Sequence, residues 1–345
     1  MNDFHFAVVV GIDIYPGIRN LNSARADAQA FAAWLRDVNG GALPKNNVQI
    51  ILEEGPFDDP VKAQPTRDAV NLAFSRVHKR ARAIFQEDPT KWPASRLYVY
   101  FSGHGLAPEP SEVAVLMANA TDDEPYNIAC GLYLEYYEKC QDFHEIVMFS
   151  DCCRAAKTDA PPGAPPFMPY IKNYGSVVSA LGYATQYKGL AYEPPPGENA
   201  RGYYTQALLD GLNGEAVDPE SPGEINSTSL QNYLRARVPA LSQGKRVPQV
   251  PAMKADPAAR IVFREGAKRA MHRITMVFPP QFHGRVILLD GRFTKIDTHD
   301  VNGVPWEKPL SDGLYEVRQE NPIPEVTFKA EGLFRVLGGD ANVKF

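Results

Sequence analysis

Cysteine is scarce in this chain, with four in 345 residues, too few for a secreted fold stapled by disulfides. Two of them, Cys152 and Cys153, are adjacent and could not pair with each other without severe strain. No apolar run approaches the roughly 18 residues of a membrane-crossing helix. The first positive charge is Arg19, so the start lacks the basic region of a secretory signal. A large excess of either charge is also missing. A net charge of −5 gives nucleic acid or an anionic membrane little to hold. These absences predict a reduced, cytoplasmic chain with neither nucleic acid nor membrane as its main partner.

The remaining composition is ordinary for a globular protein, 44% apolar and 22% charged, and the length suits about two domains. Phe6 to Ile12 is a continuous apolar run of the kind buried on both faces of a sheet. Ala24, Ala28, Phe31, Leu35 and Val38 recur at helical spacing and predict a helix over Ser23 to Val38, stopped by Gly40-Gly41. A strand over Val48 to Leu52 and a helix after Pro65 follow, with Thr66 as its N-cap. Further strands are predicted over Arg96 to Ser102, Val113 to Ala118, Glu145 to Asp151, Val177 to Tyr183 and, to close the sheet, Ile261 to Phe263. Helices are predicted over Ile128 to Cys140, Tyr203 to Leu212 and Thr228 to Val238. This alternation means an α/β domain with a mostly parallel sheet flanked by helices, residues 1–266. Beyond it, residues 267–345 read as a small all-β, sandwich-like domain, with strands at His272 to Phe278, Gly284 to Leu289, Gly313 to Arg318, Glu325 to Lys329 and Phe334 to Leu337.

Two strand ends carry chemistry. One is Tyr98-Val99-Tyr100-Phe101-Ser102-Gly103-His104-Gly105; the other is Met148-Phe149-Ser150-Asp151-Cys152-Cys153. In a parallel sheet the carboxyl ends of strands open into one crevice, where an imidazole and a thiol would meet as base and nucleophile. Taken alone, His104 fits a hydrogen-bonded core histidine and Cys153 a small buried hydrophobe. Each ending a strand, in this order, they point to a cysteine hydrolase. The amides of Gly105 and Cys153 are the candidates for holding an oxyanion. Side chains alternate along a strand, so Asp151 and Cys153 share a side and Cys152 turns to the other.

With these boxes in view, the chain resembles the caspase–metacaspase family of cysteine peptidases over about residues 4–264, and its bacterial branch in particular. Tyr100 to Gly105 is similar to that family's Tyr-Ser-Gly-His-Gly box, and Asp151-Cys152-Cys153 to its Asp-x-Cys box. Val8 to Tyr15 with Ala26-Asp27-Ala28, and Gly202 to Leu209, agree as well. Arg154 departs, standing where metacaspases commonly continue His-Ser-Gly. The resemblance implies a six-stranded caspase-like sheet, His104 as base, Cys153 as nucleophile, and Asp27 and Asp151 as acids of the first substrate pocket, with Ser102 counted beside them. Paired carboxylates suit a guanidinium fork better than an ammonium, which implies cleavage after arginine and then lysine. Arg25 is the minority alternative, an arginine pocket for aspartate.

The resemblance also implies protein substrates, links to bacterial defence, and a precursor activated by proteolysis, by itself or by an activating protease. The proline-rich segments after the nucleophile and before Gly202 are the loops for such a cut, with Lys157, Lys172, Lys188 and Arg201 as processing candidates. No organic cofactor is expected. Calcium has Asp122, Asp123 and Asp159 as candidate ligands, though three acids in loops are more often solvated. The cysteines lack zinc-site spacing. The rival reading is a catalytically silent adaptor of the same fold that binds partners through its C-terminal domain.

Overall fold

The computed structural model describes residues 1–55, 57–195, 201–255, 260–320 and 332–345. The chain opens β1 (His5–Gly11), α1 (Ala24–Arg36), β2 (Val48–Leu52), α2 (Arg67–Glu87) and β3 (Arg96–Ser102). The apolar run of β1 is explained by its two buried faces. Phe6, Val8 and Val10 enter a core with α2, while Ala7 and Val9 enter another with α1. Thr66 stands at the start of α2, but its hydroxyl makes no capping bond. The acidic residue of that first turn is Asp68, which places favourable charge there.

After β3 a small four-stranded sheet is assembled from β4 (Gly105–Ala107), β5 (Ala114–Leu116), β6 (Asn127–Ala129) and, past α3 (Cys130–Cys140) and β7 (Glu145–Asp151), β8 (Ala155–Ala156). Ile128 and Ala129 thus belong to a strand, and the helix starts two residues later than its periodicity suggested. The Glu112 carboxylate crosses to this helix start and accepts the N–H groups of Gly131 and Leu132, meeting amides that no residue of the helix can satisfy. The chain continues through β9 (Val178–Tyr183), α4 (Tyr203–Asp210), β10 (Ile225–Asn226), α5 (Ser227–Leu241), β11 (Ala252–Ala255) and β12 (Val262–Arg264).

The central sheet has six strands in the order β11-β9-β7-β3-β1-β2, parallel except for β11, which runs antiparallel to β9. The expected closing strand at Ile261 to Phe263 is a correction. That segment pairs instead with β10 in a separate ribbon, and the sixth strand is Ala252–Ala255. An edge strand has one covered side, so its Ala-Met-Lys-Ala sequence shows little apolar signal. Helices α2 and α3 pack on one face of the sheet, and α1, α4 and α5 on the other.

Register fixes the site. Gly11 of β1 stands opposite Ser102 of β3, which stands opposite Asp151 of β7, so three strands end on one rung. From β1 the chain goes outward to β2 through α1 and returns through α2 to β3 on its other side. The crevice therefore opens where the winding reverses. Gly11 also lets α1 lie against the strand end, since a Cβ there would come 2.6 Å from both the Ala24 carbonyl oxygen and the Ala28 Cβ.

The C-terminal part consists of β13 (His272–Val277), β14 (Gly284–Asp290), β15 (Lys295–Val301), β16 (Trp306–Leu310), β17 (Gly313–Gln319), β18 (Gly332–Val336) and β19 (Ala341–Lys344). They form sheets of order β16-β13-β19 and β15-β14-β17-β18 around one core that includes Ile274, Val286, Leu288, Trp306 and Val317. The strand expected at Glu325 to Lys329 lies outside the described residues. Strands β15, β16 and β19 carry weak apolar patterns because all three are edges, and β16 accommodates Pro309 for the same reason.

Candidate active site

Beyond β3 the chain turns through Gly103, where a Cβ would collide with the Tyr15 hydroxyl at 2.5 Å, and presents His104. The imidazole Nε2 lies 2.6 Å from the Arg19 carbonyl oxygen. A carbonyl can only accept, so Nε2 carries the hydrogen and Nδ1 keeps its lone pair. Burial pushes the His104 pKa below its ordinary value, against the raising effects of the Arg19 bond and Glu193, so the ring is neutral at pH 7.

Two residues past the end of β7, Cys153 lines the same cavity as His104. Its Sγ accepts the Ala191 N–H at 3.4 Å and faces the Ala191 carbonyl oxygen at 3.7 Å. Burial pushes this thiol up, with Asp151 and Glu193 acting in the same direction. The resting pair is therefore thiol and neutral imidazole. Cys152 turns to the opposite side. It packs with α3 and β9 residues in the core, its Sγ 3.1 Å from Ser150 Oγ, and burial pushes its pKa up to about 12. It also explains Gly105, where a Cβ would sit 2.4 Å from Cys152 Sγ and 2.8 Å from the Cys153 carbonyl. Gly105 thus packs directly against the Cys152-Cys153 segment, just outside the lining of the small cavity.

The cavity holds about 70 Å³ and is lined by Asp27, Ser102, Gly103, His104, Asp151, Cys153 and Glu193, among others. Asp27 projects from α1 and is 1% exposed, buried in the site rather than solvated on its helix. Its carboxylate accepts the Gly202 N–H at 3.1 Å and Ser102 Oγ–H at 3.2 Å. Asp151 accepts the Thr205 N–H at 3.0 Å and the Thr205 hydroxyl at 2.6 Å, which makes it an anionic cap on the start of α4. Burial and then the Asp151 charge push Asp27 well above the carboxylate range. Burial likewise raises Asp151, up to about 6.

Arg25 is corrected as an alternative pocket residue. It is not among the residues lining the cavity and reaches Glu53 at 3.4 Å, half exposed. The four processing candidates divide. Lys157 reaches the Asp122 carbonyl oxygen, and Lys172 lies over the Tyr170 and Tyr174 rings. Their loop runs along α2 and α3, with Phe167 packed on His78 and Tyr136. Lys188 and Arg201 flank the other loop, whose residues Ala191 to Glu193 cross the nucleophile. Lys188 is exposed with φ of 65°, and its N–H donates to the Arg154 carbonyl.

Four contributions were not legible beforehand. Glu193 lines the cavity from that crossing loop, its carboxylate accepting the Asn22 N–H and side-chain amide and the Ser23 hydroxyl. Nothing in a proline-rich loop marks one acid out. Gly202 has no room for a side chain, since a Cβ would lie 2.4 Å from Asp151 Oδ2 and 3.0 Å from Asp27 Oδ2. Thr205 shares its box, and that box was the available signal for both. Arg154 is 4% exposed. It is held by the Pro110 carbonyl at 2.7 Å and the Thr185 carbonyl at 3.4 Å, with its guanidinium 4.5 Å from the centre of the Tyr183 ring. It pins together the loops that follow β4 and β9.

Among the described residues one cluster has metal-ligand types, Glu215, His272 and Asp312, with ligand atoms within 4.8 Å of one another. His272 Nδ1 accepts the Gly339 N–H at 3.0 Å, so Nε2 carries the hydrogen and points it at Glu215, 2.9 Å away. With that arrangement Nε2 has no lone pair for a cation, and the cluster acts as a polar joint between the wide turn after α4 and the β-sandwich. Asp122, Asp123 and Asp159 are exposed and form no such cluster. No helix among the described residues is long and apolar enough to cross a membrane.

A family model described as Caspase domain matches residues 5–259, and the chain belongs to that family of cysteine peptidases. A protein named as a probable protease, from a Desulfuromonadales bacterium, is 29% identical over 234 residues, which is 61% of this chain and 26% of that protein. The chain thus spans about a quarter of that relative's length. Caspase-1 from Spodoptera frugiperda is 12% identical with a TM-score of 0.46, covering 78% of this chain and 91% of that one. A structure from Geobacter sulfurreducens is 16% identical with a TM-score of 0.42, covering 77% and 99%.

The raised acids have a consequence for stability. A group whose folded pKa exceeds its unfolded value contributes stability at low pH, lost as pH rises through the folded value. The paired acids therefore weaken the fold at neutral pH. Asp27→Asn keeps an acceptor for Gly202 and removes the charge. It is expected to raise the melting temperature at pH 8, by about 2–4 °C for each kcal/mol relieved, and by less at pH 5. Calorimetric melting at the two pH values measures this.

Proposed function

We propose that the chain is a cysteine endopeptidase that cuts after a basic residue, arginine before lysine. One observation carries the reading: a single small cavity has a thiol and an imidazole beside three carboxylates, Asp27, Asp151 and Glu193. A guanidinium satisfies two of the acids bidentately and relieves the cost of burying like charges. An ammonium offers a point charge without the fork.

In this mechanism the Cys153 thiol gives its proton to His104 Nδ1 as sulfur attacks the scissile carbonyl carbon. The oxyanion falls to the amides of Gly105 and Cys153. Collapse of the tetrahedral species breaks the C–N bond, and the imidazolium protonates the departing amine. Water, deprotonated by His104, then hydrolyses the thioester and restores thiol and neutral ring. Because the resting pair is neutral, proton transfer accompanies attack. No metal or organic cofactor takes part in these steps.

The activation reading is supported by the loop that crosses the nucleophile. Ala191 occupies both hydrogen-bonding directions of the thiol, Tyr192 is tied to Gln249, and Glu193 latches onto Asn22 and Ser23. Substrate must displace this strap. We assign the activating cut to its flanks, after Lys188 or Arg201, made by this enzyme or another protease.

Peptides ending in arginine, lysine, citrulline or aspartate before a fluorogenic amide test the specificity. Arginine is expected to be cleaved fastest and lysine second. Citrulline, which keeps the shape without the charge, should lose at least about 30-fold in kcat/KM, given about 2–5 kcal/mol for an unpaired buried charge. The KM for arginine should rise as pH falls through the raised carboxylate pKa values, because protonated acids do not hold a guanidinium. Preference for aspartate or small apolar residues would refute the pocket.

Activation has its own check. Lys188→Gln with Arg201→Gln should leave the chain in one piece and its turnover low. Full turnover from that uncut chain would contradict the assignment, and Lys157→Gln with Lys172→Gln should behave as wild type.

A further inference from the structure

The loop between β1 and α1 does more for His104 than supply the Arg19 carbonyl. The Tyr15 hydroxyl accepts the backbone N–H of His104 at 2.9 Å, and its ring meets the imidazole edge-on, with centroids 4.8 Å apart and planes at 62°. Tyr15 is 1% exposed, and its hydroxyl lies against Gly103, one residue before the histidine. The backbone N–H of Tyr15 in turn donates to Asn20 Oδ1 at 2.8 Å, while the Ile18 N–H donates to the Tyr15 carbonyl. These two bonds close residues 15–20 into a turn that contains Arg19. The carbonyl that selects the imidazole tautomer is aimed by this turn.

We propose that Tyr15 and Asn20 are positioning residues for His104, which they serve jointly: Tyr15 fixes the plane and backbone of the imidazole, and Asn20 holds the turn that aims the Arg19 carbonyl at Nε2. With both in place, Nδ1 is the free acceptor and the ring cannot swing its N–H toward the thiol. Neither residue touches the thiol or the space for substrate. Asn20 is exposed at the surface, so its loss should spare the fold. This inference rests on His104 being the base of the proposed peptidase, but the arrangement of the ring can be read without any turnover.

The test uses full-length protein labelled with ¹⁵N-histidine, with the His104 resonances identified by their loss in His104→Gln. At pH 7.5 the wild-type imidazole shifts should report the Nε2–H tautomer. Asn20→Ala and Tyr15→Phe should each move them toward a mixture of tautomers, and Asn20→Asp, which keeps the acceptor oxygen, should restore the wild-type pattern. In turnover of the arginine peptide, Asn20→Ala should lower kcat by about 10- to 100-fold with KM little changed and shift the acid limb of the kcat profile. Asn20→Asp should recover most of the rate. An unchanged tautomer in both Asn20→Ala and Tyr15→Phe overturns the proposal, whatever the activity. A chain that shows the tautomer change but cleaves no peptide would sink the peptidase reading and leave the positioning role standing.

Discussion

Two aspartates buried against each other set the terms for this molecule. Asp27 and Asp151 come from different elements, α1 and β7, and meet in a space where both cannot ionise without large cost. Everything near them answers to that constraint. Thr205 supplies two donors to Asp151, and its hydroxyl is backed by Tyr100 at 2.5 Å. Gly202 supplies its N–H to Asp27 and has no side chain because the pair leaves no room for one. Even Gly11, remote in sequence, belongs to the same arrangement, since it lets α1 lie close enough to bring Asp27 to the end of β3. A cation of the right shape is the natural relief for this stored repulsion, which is why the site reads as a receptor for a guanidinium rather than a void.

The nucleophile and base are arranged with similar economy. Register ends their two strands on one rung, Ser102 opposite Asp151, and each residue lies two positions beyond its strand end. Alternation then separates two adjacent cysteines with the same chemistry. Cys153 opens to the cavity on the side of Asp151, and Cys152 goes into the core, where its thiol is silenced by burial. The imidazole needs no carboxylate partner because a backbone carbonyl selects its tautomer, and the neutral resting pair keeps charge out of a cavity that already holds three acids.

Much of this was legible from residues because it depends on patterns with fixed periods. The two-sided burial of β1 and the Asp151–Cys153 alternation follow from a strand's period of two, and the Tyr100 to Gly105 box was legible through its resemblance to a family motif. What the sequence concealed depends on long-range closure. Glu193 sits in a loop without periodicity and becomes meaningful only when Asn22 and Ser23 are beside it. Arg154 reads as a departure from the family's box until its guanidinium is seen holding the loops after β4 and β9 together. The edge strands Ala252–Ala255, Lys295–Val301 and Ala341–Lys344 carry weak apolar signals because one side of each is open, so the more apolar Ile261 to Phe263 drew the assignment that belonged to its neighbour.

The most direct measurement is a crystal structure of the chain, together with its peptide map, after reaction with a short peptide ending in an arginyl chloromethyl ketone. The account predicts a thioether on Cys153 and none on Cys152, Ala191 moved off the sulfur, and the guanidinium lying between Asp27 and Asp151 within hydrogen-bond distance of both. A thioether on Cys152, or an arginine side chain directed away from the two aspartates, would contradict it.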